Sequence, residues 1–208
     1  MTGHRLAIVA ACVLGALAAP IGHAADVTVQ ARTPEGAAAG DTVVVFEPLD
    51  APAPAGHATA VIDQVNKRFV PHVTVIRVGT AVTFPNSDHI RHQVYSLSPA
   101  KVFTLKLYAG SPKMDVVFDQ PGLVALGCNI HDTMVAFVLV VDTPFFAKTA
   151  DGGSATLALP EGRYRMRAWH EKMRAPPPPR ELTVGTAPLA VPLTVDLDPA
   201  TELVAPWP

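Results

Sequence analysis

Cysteine is scarce in this 208-residue chain, which contains only Cys12 and Cys128. The first lies in an N-terminal segment with the features of an export signal: the basic Arg5, an apolar run over residues 6–20, and small residues before a cut after Ala24. Removal of residues 1–24 would leave Cys128 alone. We therefore expect no internal disulfide bond in a compartment where disulfides persist, and an unpaired thiol there needs a special reason.

The sequence also lacks an apolar run long enough to span a membrane. The run over residues 6–20 has 15 residues, whereas a spanning helix needs roughly 18 or more. These observations predict a periplasmic protein that is not an integral membrane protein. A lipoprotein signal ending at Cys12 is the alternative, and it is disfavoured because only six apolar residues would precede that cysteine.

Long runs of charge of one sign are missing as well. Lys and Arg number 16, Asp and Glu number 18, and the formal net charge is −2. Binding to a nucleic acid backbone relies on clustered basic residues. We therefore expect no nucleic acid partner.

Helical periodicity is absent after the signal, and short alternating segments replace it. Within residues 102–108, Phe103, Leu105 and Leu107 share one face, and Thr104 and Lys106 share the other. Similar short, β-branched or aromatic segments cover residues 73–78, 81–85, 92–97, 114–118, 123–127 and 135–141, with turn residues between them. Many short strands with Gly and Pro punctuation indicate an all-β chain built as a β-sandwich.

The remaining thiol has potential metal ligands beside it. Cys128, His131 and Met134 have C-x-x-H-x-x-M spacing, so one loop between two strands can deliver all three. Thiolate and thioether ligands combined with imidazole select copper, and a His₂Cys site with a weak axial Met marks an electron-transfer centre. The best candidate for the fourth ligand is His92, which opens a predicted strand. His89, three residues earlier, is the alternative.

These features resemble cupredoxins of the plastocyanin and amicyanin kind. Residues 61–142 contain an early Phe69-Val-Pro71, a strand-Gly-strand unit around Gly79, a His92-x-Val-Tyr segment and the C-x-x-H-x-x-M loop, in the order of that family. The chain is also similar to exported bacterial proteins named methylamine utilisation protein or cupredoxin-domain protein. The resemblance implies electron transport without enzyme activity, through one type 1 (blue) copper ion held by His92, Cys128, His131 and Met134.

Segments on either side of this stretch resemble a second kind of sandwich. Residues 27–46 look like the first two strands of a carboxypeptidase-regulatory-like, Ig-like sandwich, and motifs within residues 150–170 match its end. We therefore expect an all-β chain with a cupredoxin Greek-key β-sandwich (58–143) inserted in or packed beside a second β-sandwich. That second sandwich would be discontinuous (25–50 and 144–198), and a tail (199–208) would follow it.

Two positions depart from the cupredoxin pattern. Gln93 stands where Asn usually follows the first ligand, and Gly127 stands where many members have an aromatic residue before the Cys. We therefore expect electrons to pass the outer edge of His131, with redox partner proteins making transient contacts near it. An apolar shell around the metal is expected from Val94, Leu126, Val135 and Phe137. A periplasmic protein for copper delivery or storage is the alternative function, because it would use the same ligand types in a more open site.

Overall fold

The computed structural model describes residues 24–53, 56, 58–200, 203 and 206. The predicted export signal and Cys12 lie outside the described residues. The described chain is all β and contains no helix, as the sequence predicted. The strands are β1 (Ala24–Arg32), β2 (Val43–Pro48), β3 (Thr59–Val61), β4 (Asp63–Val65), β5 (Arg68–Val70), β6 (Val73–Arg77), β7 (Thr80–Thr83), β8 (His92–Ser98), β9 (Lys101–Tyr108), β10 (Val116–Phe118), β11 (Gly122–Gly127), β12 (Val135–Val141), β13 (Phe146–Lys148), β14 (Ser154–Pro160), β15 (Gly162–Trp169), β16 (Arg180–Val184) and β17 (Leu189–Thr194).

Strands β3 to β12 form what we call the central sandwich. A five-stranded sheet in the order β6-β12-β11-β8-β9 packs against a three-stranded sheet in the order β10-β7-β3. Ile62, Phe84, Phe118, Val94 and Leu126 are almost completely buried between them. The two-stranded hairpin β4-β5 lies at the margin of this unit, and Phe69 anchors it in the same core.

Strands from both ends of the chain form a second unit, which we call the flanking sandwich. Its sheets have the orders β14-β1-β17 and β13-β2-β15-β16. Strand β1 pairs antiparallel with β14 and parallel with β17, and β2 lies between β13 and β15. The alternating burial of β1 places Val27, Val29 and Ala31 in a core that also contains Phe46 and Trp169.

Strand β12 contributes to both cores, which explains why all seven of its residues are apolar. Ala136, Val138 and Val140 point into the core of the central sandwich. The alternate residues Phe137, Leu139 and Val141 belong to the core of the flanking sandwich, where the rings of Phe137 and Trp169 are 6.0 Å apart. A strand covered on both faces has a continuous apolar sequence instead of an alternating one.

The seven central strands predicted from the sequence are confirmed as β6 to β12, with ends that differ by two residues or fewer. The short strands β3, β4 and β5 were not predicted. Each has only three residues, which is too few for a period of two to be visible in the sequence.

Candidate metal centre

The loop between β11 and β12 carries three of the predicted ligands. Strand β11 ends at Gly127 and β12 begins at Val135. The N–H of Met134 donates to the carbonyl of His131 at 2.9 Å, and the N–H of Val135 donates to the carbonyl of Thr133 at 3.1 Å. These two hydrogen bonds fold the loop tightly, so the chain returns to the core at Met134 directly after presenting His131.

Strand β8 brings His92 to this loop. Tyr95 of β8 pairs with Gly127 of β11, so the beginning of β8 runs beside the residues that follow β11. His92 is the first residue of β8, and its side chain is fully buried. The register of this strand pair therefore joins two segments that are far apart in the sequence.

Three donor atoms face one another at this end of the central sandwich. The Sγ of Cys128 is 3.9 Å from the Nδ1 of His92 and 3.8 Å from the Nδ1 of His131, and the two nitrogens are 3.2 Å apart. A point equidistant from these atoms lies about 2.1 Å from each, which matches the roughly 2.0–2.3 Å of bonds from nitrogen and sulfur to a metal such as zinc. The donor types and the size of the triangle both fit a bound metal ion.

The candidate ligands differ in their access to solvent. Cys128, Met134 and His92 are buried, whereas His131 is half-buried. Met134 and Cys128 belong to the same apolar cluster in the core of the central sandwich. His131 is therefore the candidate ligand closest to the surface.

The predicted apolar shell is correct for two residues and wrong for two. Val94 and Leu126 are buried in the cluster that contains Cys128. Val135 is 38% exposed, and Phe137 lies in the core of the flanking sandwich. The reason is the alternation along β12, which turns Phe137 away from the candidate site.

The two candidate histidines from the same polar stretch are separated in space. His92 joins the cluster with Cys128 and His131. His89 is exposed and lines a cleft of about 360 Å³ together with Lys67 and Ile90. Of these two residues, only His92 is placed to share a metal ion with Cys128.

A carboxylate that the sequence reading did not assign to the site contacts His92. The Oδ2 of Asp88 is 2.7 Å from the Nε2 of His92. Burial alone would raise the pKa of Asp88, but hydrogen bonds from the Lys67 N–H, from His92 and from the Asn66 N–H together hold it below its ordinary value. Asp88 is thus held as a carboxylate behind the ring.

A polar network lies in the same core, where Tyr108 of β9 pairs with the candidate ligand His92 of β8. The Nε2 of Gln64 donates to the hydroxyl of Tyr108 at 2.6 Å, and that hydroxyl donates to the carbonyl of Phe84 at 2.5 Å. Burial raises the pKa of Tyr108 to about 12, and the charges of Asp63 and Cys128 act in the same direction. The phenol therefore stays neutral and acts as a fixed hydrogen-bond donor.

An aromatic ring covers the backbone just before Cys128. A Cβ added to Gly127 would lie 2.8 Å from the Cζ, 2.9 Å from the hydroxyl oxygen and 3.0 Å from the Cε1 of Tyr95. The ring of Tyr95 thus occupies the space that a side chain at position 127 would need. An aromatic ring from the neighbouring strand therefore lies against the backbone at position 127, where the chain itself has glycine.

Solved structures of copper proteins are similar to this chain. They include a copper-containing nitrite reductase from Thermus scotoductus (24% identity over 46% of this chain and 25% of that chain, TM-score 0.38). They also include a purple cupredoxin from Nitrosopumilus maritimus (26% identity over 39% of this chain and 99% of that chain, TM-score 0.35) and a variant of amicyanin in the Cu(I) state (18% identity, 47% and 98%, TM-score 0.36). The chain spans a quarter of the nitrite reductase chain. No family model and no curated protein matches it.

The central sandwich has two packed sheets with a His, Cys and His cluster at one end. This is the architecture that the resemblance to cupredoxins predicted from the sequence. The likeness of the flanking sandwich to carboxypeptidase-regulatory-like proteins stays a prediction.

Proposed function

We propose that this protein is an exported type 1 (blue) copper protein that carries single electrons between redox partners. The observation that supports this most directly is the triangle of His92 Nδ1, Cys128 Sγ and His131 Nδ1, whose sides of 3.2 to 3.9 Å leave room for one metal ion. A thiolate with two imidazoles is the donor set of copper electron-transfer sites. Bound copper would supply a one-electron couple between Cu(II) and Cu(I).

Each candidate ligand has a distinct role in this proposal. His92, Cys128 and His131 would hold the copper ion, and Met134 would be a fourth, weaker ligand that tunes its reduction potential. His92 and Cys128 are buried in the core and shielded from water. A buried, rigid donor set changes little between two oxidation states, which favours rapid electron transfer.

The burial of the donors favours a carrier over a catalyst. A cleft of about 670 Å³ opens beside the donor loop and is lined by Thr133 and Val135, but none of the four candidate ligands lines it. A substrate in that cleft would not reach the donor atoms directly. The nitrite reductase among the similar structures is an enzyme, as its name states, and we propose that this chain is not.

The proposed route for electrons runs through the edge of His131. This ring is half-buried, and the neighbouring Ile130 is 52% exposed. Small, transient contacts are typical of redox encounters. We propose that the surface formed by Asn129, Ile130 and Thr133 around His131 is the docking patch for partner proteins.

The proposal also covers the localisation and the domain organisation of the protein. We propose export to the periplasm after cleavage at residue 24, a cupredoxin domain over residues 58–143, and a second, discontinuous domain over residues 25–50 and 144–198. Among the described residues, no helix is long and apolar enough to cross a membrane.

The visible and electron-paramagnetic-resonance spectra of the copper-loaded protein test the proposal. We expect an intense thiolate-to-copper band and a narrow copper hyperfine splitting, because Cys128 is the only thiol after removal of the signal. Cys128→Ser should abolish the colour, whereas His89→Ala should keep it. A colourless wild type that still binds copper would instead indicate a delivery or storage site, and an unchanged spectrum in Cys128→Ser would refute the ligand assignment.

A further inference from the structure

The ring of His92 is hydrogen-bonded on the side that faces away from Cys128. Its Nε2 lies 2.7 Å from the Oδ2 of Asp88, while its Nδ1 faces the donor cluster. The ring is fully buried, and the side chain of Asp88 is only 13% exposed. The contact between them is therefore largely shielded from water, where a charge-assisted hydrogen bond is strong.

This contact decides which nitrogen of His92 carries the proton. A carboxylate can only accept hydrogen bonds, so the Nε2 of a neutral His92 must be the N–H that donates to Asp88. The Nδ1 then keeps its lone pair, and this lone pair points at Cys128 and His131. A metal ion needs the ring in this tautomer.

Asp88 is itself fixed from three directions. The N–H of Asn66 donates to its Oδ1 at 2.6 Å, and the N–H of Lys67 donates to its Oδ2 at 2.9 Å. Both donors belong to the tip of the β4-β5 hairpin, where φ is 53° at Asn66 and 58° at Lys67, so the two N–H groups converge on one carboxylate. The backbone N–H of Asp88 also donates to the Oδ1 of Asn86.

We propose that Asp88 is a positioning residue for the metal centre: anchored by the tip of the β4-β5 hairpin, it holds His92 as the Nε2–H tautomer and strengthens the Nδ1 as a donor. This inference rests on the proposed function, because the donor is useful only to a metal. A stronger donor favours the higher oxidation state, so Asp88 lowers the reduction potential. Carboxylates behind histidine ligands fix the ring and raise the basicity of the ligand nitrogen in other metal sites, and their loss costs roughly 10–100-fold in metal affinity or activity.

The metal-free protein gives the first test. Nitrogen-15 correlation spectra of the imidazoles, recorded where they are neutral, should show His92 of the wild type as the Nε2–H form. In Asp88→Asn, the neutral amide is a weaker acceptor than the carboxylate, so the preference of His92 for the Nε2–H form should weaken and part of the Nδ1–H form should appear. Finding the Nδ1–H form in the wild type would overturn the inference, whether or not any variant folds.

The copper-loaded protein gives the second test. Asp88→Asn should bind copper roughly 10–100-fold more weakly in a competition titration and should show a higher reduction potential. Asp132→Asn is the matched control, because Asp132 is exposed beside His131 and its loss removes the same charge from the same neighbourhood. Equal effects of both substitutions, or a threefold change or less in Asp88→Asn, would overturn the inference. A wild type that takes up no copper would refute the proposed function instead.

Discussion

Gly127→Ala is the substitution whose effect on stability follows most directly from the structure. The new Cβ would lie 2.8 to 3.0 Å from three atoms of the Tyr95 ring, closer than carbon atoms pack. The ring must swing aside or the strand pair must open. Overpacking costs about 1–3 kcal/mol, and because the ring of Tyr95 is only half-buried and can move, we expect a loss of about 1 kcal/mol. Denaturant titration of the metal-free protein, read as the free energy of unfolding, measures this cost.

The effect of Gly127→Ala on the free energy of unfolding should change sign when the ring of Tyr95 is absent. In a Tyr95→Ala background the clash is gone, and alanine in place of glycine within a strand stabilises by roughly 0.5–1 kcal/mol. Gly185→Ala is the control, because nothing lies within 4 Å of a Cβ at that position; its effect should stay within about 0.5 kcal/mol. An equal loss of stability from Gly127→Ala with and without Tyr95 would refute the packing argument.

Three further predictions concern the site, its surface and pH. Met134→Leu should keep copper and raise the reduction potential measured by voltammetry, and Met134→Gln should lower that potential, because the axial ligand tunes the copper couple. Loss of copper from Met134→Leu would favour a delivery site. Ile130→Lys should leave the visible spectrum unchanged but slow bimolecular electron exchange with a surrogate partner. Leu97→Lys, at a 76% exposed position far along β8, should leave the exchange rate unchanged. Equal rates for wild type and Ile130→Lys would place the docking patch elsewhere. Burial lowers the pKa of His170 below 6.5, so the unfolded chain binds more protons and the free energy of unfolding falls as pH drops below about 6.5. His170→Gln should therefore lose less stability than the wild type between about pH 7 and about pH 5 in urea titrations. An unchanged dependence of stability on pH in this variant would contradict the argument.

Local sequence signals were enough to predict strands β6 to β12 and the arrangement of the donor loop. The alternation in residues 102–108 predicted β9, and the spacing of Cys128, His131 and Met134 predicted that one loop would present them. The choice of His92 over His89 also followed from a local signal, because only His92 begins a strand. That these residues bind copper stays a prediction.

What the sequence could not reveal depends on strand register. Tyr95 covers Gly127 because β8 and β11 pair at these residues, and no local pattern specifies that pairing. Asp88 reaches His92 because the β4-β5 hairpin places two N–H groups around its carboxylate. The Asp88 to His92 spacing of four residues was visible, but such a spacing has no meaning in a loop until the loop is folded.

The double coverage of β12 has a consequence for how this chain can be divided. Excising residues 58–143 would uncover Phe137, Leu139 and Val141, which the flanking sandwich now buries. Exposing each large apolar side chain costs roughly 1.5–3 kcal/mol, a large share of the stability of a small domain. A shortened version carrying only the donor cluster would therefore be prone to aggregation unless these three positions were made polar. Grafting the centre onto another protein requires redesign of that strand's outer face, and the redesigned strand would still have to hold Met134 in place.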